Sequence, residues 1–246
     1  MAQKTTIQLE SNLVSPSYTK GHPEIYVVSA PSGTGKTTLN RRLIAEHPQI
    51  QLTVSHTTRK QRAGEKNGDH YWFVSPEAFQ ALLAKNAMLE HANVHGAYYG
   101  TSLHEIERIQ AQNCAVLLEI DVQGWQQVRS KIPSATALLI IPPSMHVLWQ
   151  RLSERKTDTP EQTWKRFQNA RAEIQECEYF QYFIVNDSLE IAYQELEGLL
   201  VKKAPPALSH AQGLAHCRKL LQEFDSAPEI QQLKVQYGAP STALPR

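Results

Sequence analysis

Cysteine is scarce in this chain, and the little present shows no paired spacing. Cys114, Cys177 and Cys217 are the three among 246 residues. An odd count without C-x-x-C spacing argues against a disulfide framework and against a zinc site, and it suits a reducing compartment. No apolar run approaches the ~18 residues of a membrane span. The polar stretch 1–20 lacks the apolar core of a signal peptide and reads as a flexible extension. Neither sign of charge is in excess, since the formal net charge is +1. No global field therefore recommends nucleic acid or an acidic membrane as a partner. His91 and His95 stand four apart, but no carboxylate follows His91 in H-E-x-x-H fashion, so no metal is assigned to them. No internal repeat is found. The expectation is a cytoplasmic protein without membrane or nucleic-acid partners, with homo-oligomer formation left open.

Ordinary globular proportions remain: 41% hydrophobic and 20% charged residues. The apolar runs Ile25–Ser29, 116–120, 137–141 and 183–185 read as buried parallel strands. Helical patterns separate them at 39–46, 123–131, 145–152 and 189–201, the alternation of an α/β domain. Between about 51 and 101 the texture changes to short alternating segments (51–55, 71–74, 91–94 and 97–99) around a helical piece at 76–85. This predicts a small mixed subdomain inserted in the core. An arginine-rich segment, 151–171, fits a mobile lid. Beyond Ala204-Pro205-Pro206, residues 211–224 suggest one more helix, and the Gly-, Pro- and Ser-containing end from Tyr237 is expected to be disordered.

The chemistry starts after the first strand, at Ala30, Pro31, Ser32, Gly33, Thr34, Gly35, Lys36 and Thr37. A strand, a glycine-bearing loop and a helix form a phosphate cradle, with backbone N–H groups and the helix N-terminus directed at an anion. Gly33 and Gly35 let the loop curl without a side-chain clash. Lys36 reaches the outer phosphates, and the Thr37 hydroxyl suits Mg²⁺. The pattern is G-x-x-x-x-G-K-[ST] with one departure, Ala30 in place of the first glycine.

A second phosphate signal lies at Ser55-His56-Thr57-Thr58-Arg59-Lys60-Gln61-Arg62, followed by Gly68 and Tyr71. Arginine presents a fixed fork that matches phosphate oxygens, and hydroxyls add neutral donors. Two phosphate sites in one chain suit phosphoryl transfer between two phosphorylated molecules held in line. A third arginine set, Arg151, Arg155 and Arg166, could stabilise the moving group, whereas Arg171 receives no role. An attacking phosphate has a second pKa of about 6 and needs no protein base.

The run from Ser55 to Phe73 resembles the GMP-binding signature of guanylate kinases. Leu89-Glu90-His91-Ala92, Ala97-Tyr98-Tyr99-Gly100-Thr101, Glu119-Ile120-Asp121-Val122-Gln123-Gly124 and Ile184-Val185-Asn186-Asp187 are similar to further blocks of that family. The resemblance spans roughly residues 23–202. It implies a P-loop NTPase-type parallel sheet flanked by helices, with an inserted GMP-binding subdomain and a helical lid. The implied reaction is ATP + GMP → ADP + GDP with Mg²⁺, with dGMP as a further acceptor. It also implies core segments 23–50, 102–150 and 179–204, a GMP subdomain at 51–101 and a lid at 151–178, between a 1–22 extension and a 205–246 tail.

By motif position, Ser55, Arg59, Arg62, Tyr71 and Tyr99 would hold the GMP phosphate, and Glu90 and Thr101 would read guanine. Asp121 would lie near GMP and, with Thr37, near Mg²⁺. Residues Ala30 to Thr37, Thr38, Arg151 and Asn186 would surround ATP. Lys36, Arg59, Arg155 and Arg166 would act in catalysis. Guanine presents two N–H donors that a carboxylate accepts, and adenine lacks the matching pair. Two departures stand out: Glu119 where aspartate is frequent, and Lys156 where the lid commonly has glycine. A non-catalytic relative that binds phosphopeptides, and a P-loop kinase with another acceptor, remain the alternatives.

Overall fold

The computed structural model describes residues 24–94, 96–154 and 158–237. Expectations for residues 1–23, His95, Arg155-Lys156-Thr157 and 238–246 lie outside the described residues.

The first strand, β1 (Ile25–Ser29), is buried along its whole length. It leads through the glycine loop into α1 (Lys36–Glu46) and then β2 (Ile50–Leu52). A second set of short elements follows: β3 (His56–Thr57), β4 (Trp72–Phe73), α2 (Pro76–Ala84), β5 (Met88–Val94) and β6 (Ala97–Ser102). The chain returns through α3 (Leu103–Gln110), β7 (Ala115–Glu119), α4 (Val122–Lys131), β8 (Thr136–Ile141) and α5 (Met145–Ser153). It finishes with α6 (Pro160–Gln175), β9 (Tyr182–Val185), α7 (Leu189–Leu200), α8 (His210–Ser226) and α9 (Pro228–Tyr237).

Five strands form a parallel sheet in the order β2-β7-β1-β8-β9. Successive side chains of a strand point to opposite faces, which divides the core in two. Val27, Val116, Leu118, Leu139 and Phe183 face one cluster with Trp125, Leu148, Phe167 and Leu220 from the helices. Tyr26, Val28, Leu117, Leu138 and Ile184 face the other, with Leu39 and Leu43 of α1 and Leu196 of α7. Both faces are covered, which explains why these strands read as continuous apolar runs rather than alternating ones.

The second sheet has the order β4-β3-β6-β5 and mixes parallel and antiparallel pairs. One sequence expectation is corrected here. The alternating segment 51–55 was read as part of the inserted region, but Ile50–Leu52 pairs in parallel with Ala115–Leu117 and completes the core sheet. The alternation is that of an edge strand: Ile50 is buried while Gln51 and Leu52 are half-covered. Helix starts follow local chemistry. Ser75, Ser102, Asp121 and Ser144 cap α2, α3, α4 and α5, and Thr159 with Gln162 closes a capping box on α6.

The chain fills one side of β1 with β7 and the other with β8. Ligands of open α/β sheets settle beyond the carboxyl ends of strands at such a reversal. The glycine loop starts there.

Candidate active site

The first half of the site grows from strand ends. Ser29 Oγ donates to the Ile120 carbonyl at 2.7 Å, tying the end of β1 to the end of β7. The loop then turns, with Thr34 N donating to Pro31 O at 3.1 Å. Gly35 adopts φ 95°, and a Cβ there would lie 2.6 Å from Asn186 Nδ2, so both conformation and space require glycine. Helix α1 begins at Lys36 with no side-chain cap and no acidic residue in its first turn. Its terminal N–H groups are thus left for an anion. Lys36 Nζ donates to Ile120 O at 3.2 Å. Thr37 Oγ1 and Asn40 Nδ2 donate to the two carboxylate oxygens of Glu119, at 2.6 and 2.9 Å. Asp121, expected beside the metal, has one oxygen engaged as the cap of α4, accepting from Gly124 N at 2.8 Å.

Three further residues close on this loop. Arg166 Nε and Nη2 both donate to Ser32 Oγ, at 3.1 and 2.7 Å, and the same guanidinium pairs with Asp158. Arg151 donates to the Asn186 carbonyl at 2.8 Å. Asn186, 4% exposed, donates to Thr34 O at 2.6 Å, so it shapes the loop rather than merely ending β9. Pro31 and Thr34 are buried, Ala30, Ser32 and Gly33 half-buried, and Thr38 is exposed.

Sequence reasoning missed Glu173. It lies on α6 seven residues after Arg166, hence on the same helical face, and that spacing was the available signal. The Ser32 N–H donates to its carboxyl, while its Oε2 is buried without a partner. Burial pushes this carboxyl up to about 7, with Lys36 opposing and Asp121 assisting.

The second half is built on the small sheet. Arg59 spreads its fork over Glu65, with Nη2 to Oε1 at 2.7 Å and Nη1 to Oε2 at 3.1 Å. Glu65 also accepts from the Arg62 N–H at 2.7 Å. The Arg59 contact, with that N–H, holds the Glu65 carboxyl down at about 2. The Arg59 guanidinium lies 5.4 Å from the Tyr71 ring centre, and Tyr71 meets Tyr99 edge-on at 5.8 Å. Ser55 is half-buried, with its carbonyl bonded to Trp72 N, and Arg62 is exposed.

Glu90 on β5 stands opposite Thr101 on β6 and is 6% exposed. Burial raises its carboxyl above the ordinary range, opposed by Thr101 beside it. Thr101 Oγ1 is itself buried beside that carboxyl. Lys131 ties β5 to α4 by donating to the Met88 and Leu89 carbonyls at 2.9 and 2.8 Å. The halves converge on the end of β7: the Asp121 charge acts on Glu90 and the Glu119 charge on Tyr71. Apart from Arg155, which is not described, the residues named from the sequence fall into two groups, one at the glycine loop and one on the small sheet. Among the described residues no helix is long and apolar enough to cross a membrane.

Comparison with known proteins adds to this geometry. The guanylate kinase family model matches residues 22–203. A guanylate kinase of Neisseria gonorrhoeae is 49% identical over 180 residues, covering 73% of this chain and 87% of that protein. The Escherichia coli (strain K12) guanylate kinase is 43% identical over 178 residues, covering 72% and 86%. The crystal structure of guanylate kinase from Anaplasma phagocytophilum superposes with a TM-score of 0.59 at 30% identity, covering 85% of this chain and 96% of that one.

Proposed function

The chain belongs to the guanylate kinase family, and we propose that its two anion-binding halves carry out the family's transfer of the γ-phosphoryl group from ATP to GMP in the following way. The triphosphate lies on the loop 30–38 and the α1 N-terminus, with Lys36 moving from the Ile120 carbonyl to the outer phosphates. Arg166 and Arg151, with Arg155, neutralise charge on the transferred group. The GMP phosphate takes the Arg59 fork from Glu65, assisted by Arg62, Ser55, Tyr71 and Tyr99. A GMP phosphate oxygen forms the new bond to the γ-phosphorus as the bond to the β,γ-bridging oxygen breaks. The acceptor is already largely a dianion, so no protein base is needed.

The observation that carries the acceptor assignment is the buried pair Glu90 and Thr101, a carboxyl raised by burial with a hydroxyl beside it. A guanine edge supplies two donors to the carboxylate, which restores the ionised form that burial disfavours. An adenine edge would leave it unpaired. Nothing in this recognition involves the ribose, so dGMP is an acceptor too.

Mg²⁺ fits the residues present. Thr37, Glu119 and Asp121 offer hard oxygen donors, while among the described residues no three His, Cys, Asp or Glu side chains form a cage. That set suits an ion held mainly by phosphates and water. When bound, Mg²⁺ would neutralise phosphate charge beside Thr37 and Glu119. The free thiols Cys114, Cys177 and Cys217 support a cytoplasmic location.

The test is ADP formation with ATP·Mg²⁺ and, separately, GMP, dGMP, AMP, CMP and UMP. Turnover confined to GMP and dGMP is the expected result. Equal turnover with AMP would remove Glu90 from its role.

A further inference from the structure

The family match ends at residue 203, yet α8 and α9 continue the fold and are not a loose tail. Helix α8 packs closely on the core. Its Gly213 lies so near Phe183 of β9 that a Cβ would come within 2.1 Å of the ring. His210 and His216 contact the Phe180 and Pro142 carbonyls at 3.1 and 2.9 Å, and Cys217 and Leu220 are fully buried. The same helix then reaches α5, which leads into the arginine-rich segment, and α6, which lies within it. Glu223 Oε2 accepts from Met145 N at 2.9 Å, at the start of α5. Phe224 stacks on Trp164 at 6.1 Å and packs on Phe167 at 5.1 Å, both of α6. Asp225 takes the fork of Arg171, the arginine left without a role by the sequence, with Nη2 at 2.9 Å and Nε at 3.1 Å. From α9, Tyr237 closes on Trp149 of α5 at 5.8 Å.

Helix α6 carries Arg166 and Glu173, and both grip Ser32 of the phosphate loop. We propose that α8 and α9 form a brace that ties α6 to the core sheet, so that Phe224 and Asp225 act as positioning residues for the ATP half of the site. The proposal rests on the kinase reading above. Two features favour a positioning role over simple covering of the core. The brace touches both helices that carry ATP-side arginines, Arg151 on α5 and Arg166 on α6. Its contacts on α6, at Trp164, Phe167 and Arg171, are interleaved with the residues that grip the loop. Helix α6 is thus held from both sides, and freeing one side loosens the other. The GMP half, on β3 to β6, receives no contact from the brace among the interactions described above. The effect is therefore directed to one substrate.

The experiment uses the full chain and compares wild type with Phe224→Ala, Asp225→Arg and the exchange Arg171→Asp/Asp225→Arg. KM for ATP, KM for GMP, kcat and thermal midpoint are measured for each. Affinity for a non-hydrolysable ATP analogue is measured directly. Phe224→Ala is expected to raise KM for ATP and weaken analogue binding by about fivefold, with KM for GMP within about twofold. Asp225→Arg is expected to raise KM for ATP about threefold and the exchange to restore it. A lower thermal midpoint with unchanged KM for ATP would overturn the proposal and leave α8 a stabilising element. Equal rises in both KM values would also overturn it. Should Phe224→Ala not fold, Asp225→Arg and its rescue decide alone, since Asp225 is exposed. Analogue binding reads the brace even if GMP fails as acceptor, so failure of the kinase reading stays distinguishable.

Discussion

The two halves of the candidate site, donor and acceptor on the proposed reading, are built in opposite ways. The donor half consists of strand ends and a helix N-terminus, fixed to the buried parallel sheet through Ser29, Asn186 and the Ile120 carbonyl. The acceptor half places its arginines on a loop after the two-residue strand β3, and only its other end, Glu90 with Thr101, is buried. Its phosphate fork is already engaged by Glu65. The difference shows where rigidity is needed. On the proposed reading the triphosphate would be aligned for displacement, whereas the acceptor would be selected at its base and gathered at its phosphate.

The largest effect expected from breaking this comparison is on the donor side. Lys36→Ala should lower kcat by about 10²–10³-fold with an unchanged circular dichroism spectrum, and near-normal turnover would refute its role. Next comes Glu90→Gln, which keeps the volume and gives up the charge. It should lower kcat/KM for GMP by about 10- to 100-fold and narrow the preference over AMP, a ratio read from paired progress curves. Replacing one fork at a time separates the halves further. Arg59→Lys should raise KM for GMP by about tenfold and leave that for ATP, and Arg166→Lys should do the reverse. Matching changes in both constants would mean that the halves are not independent.

The smallest effect is on stability. Glu173 holds its proton to about pH 7 in the folded protein, against an ordinary 4.5. The folded state therefore binds a proton that the unfolded chain has released. The contribution of Glu173 to stability falls as pH rises from about 4.5 through 7 and does not recover above it. Glu173→Gln should flatten that slope and be about 1–3 kcal/mol more stable than wild type at pH 8. Urea unfolding at pH 5 and pH 8 checks this, and parallel slopes for the two proteins would contradict it.

How much of this was legible beforehand depended on how local the cause was. Strands β1, β7 and β8 announced themselves because burial on both faces demands unbroken apolar runs. The phosphate loop was legible because its backbone needs glycine at fixed positions. The Arg59 cluster was readable from its arginines and hydroxyls, and Glu90 for a different reason, a motif resemblance, since burial of Glu90 depends on pairing with Thr101 across two strands. Strand β2 was misassigned because an edge strand alternates just as a strand of a small open sheet does. Helix α9 escaped notice because its sequence, Pro228–Tyr237, has few apolar residues, and Ile230 and Tyr237 hold it through contacts with distant parts of the chain. Glu173 was missed because its one local signal, the seven-residue spacing from Arg166, says only that the two share a helical face and not that Ser32 lies against it.

The Arg59–Glu65 pair has a consequence for life among competing anions. Free phosphate and sulfate are small, abundant and able to fill an arginine fork. Here they must displace a carboxylate tethered six residues away, present at an effective concentration of roughly millimolar or more. A stray anion brings nothing to offset that displacement. A nucleotide brings a purine, and its gain at Glu90 is spent in opening the fork. On the proposed reading of the acceptor half, Glu65 would act as a built-in placeholder that keeps the seat from being taken by passers-by.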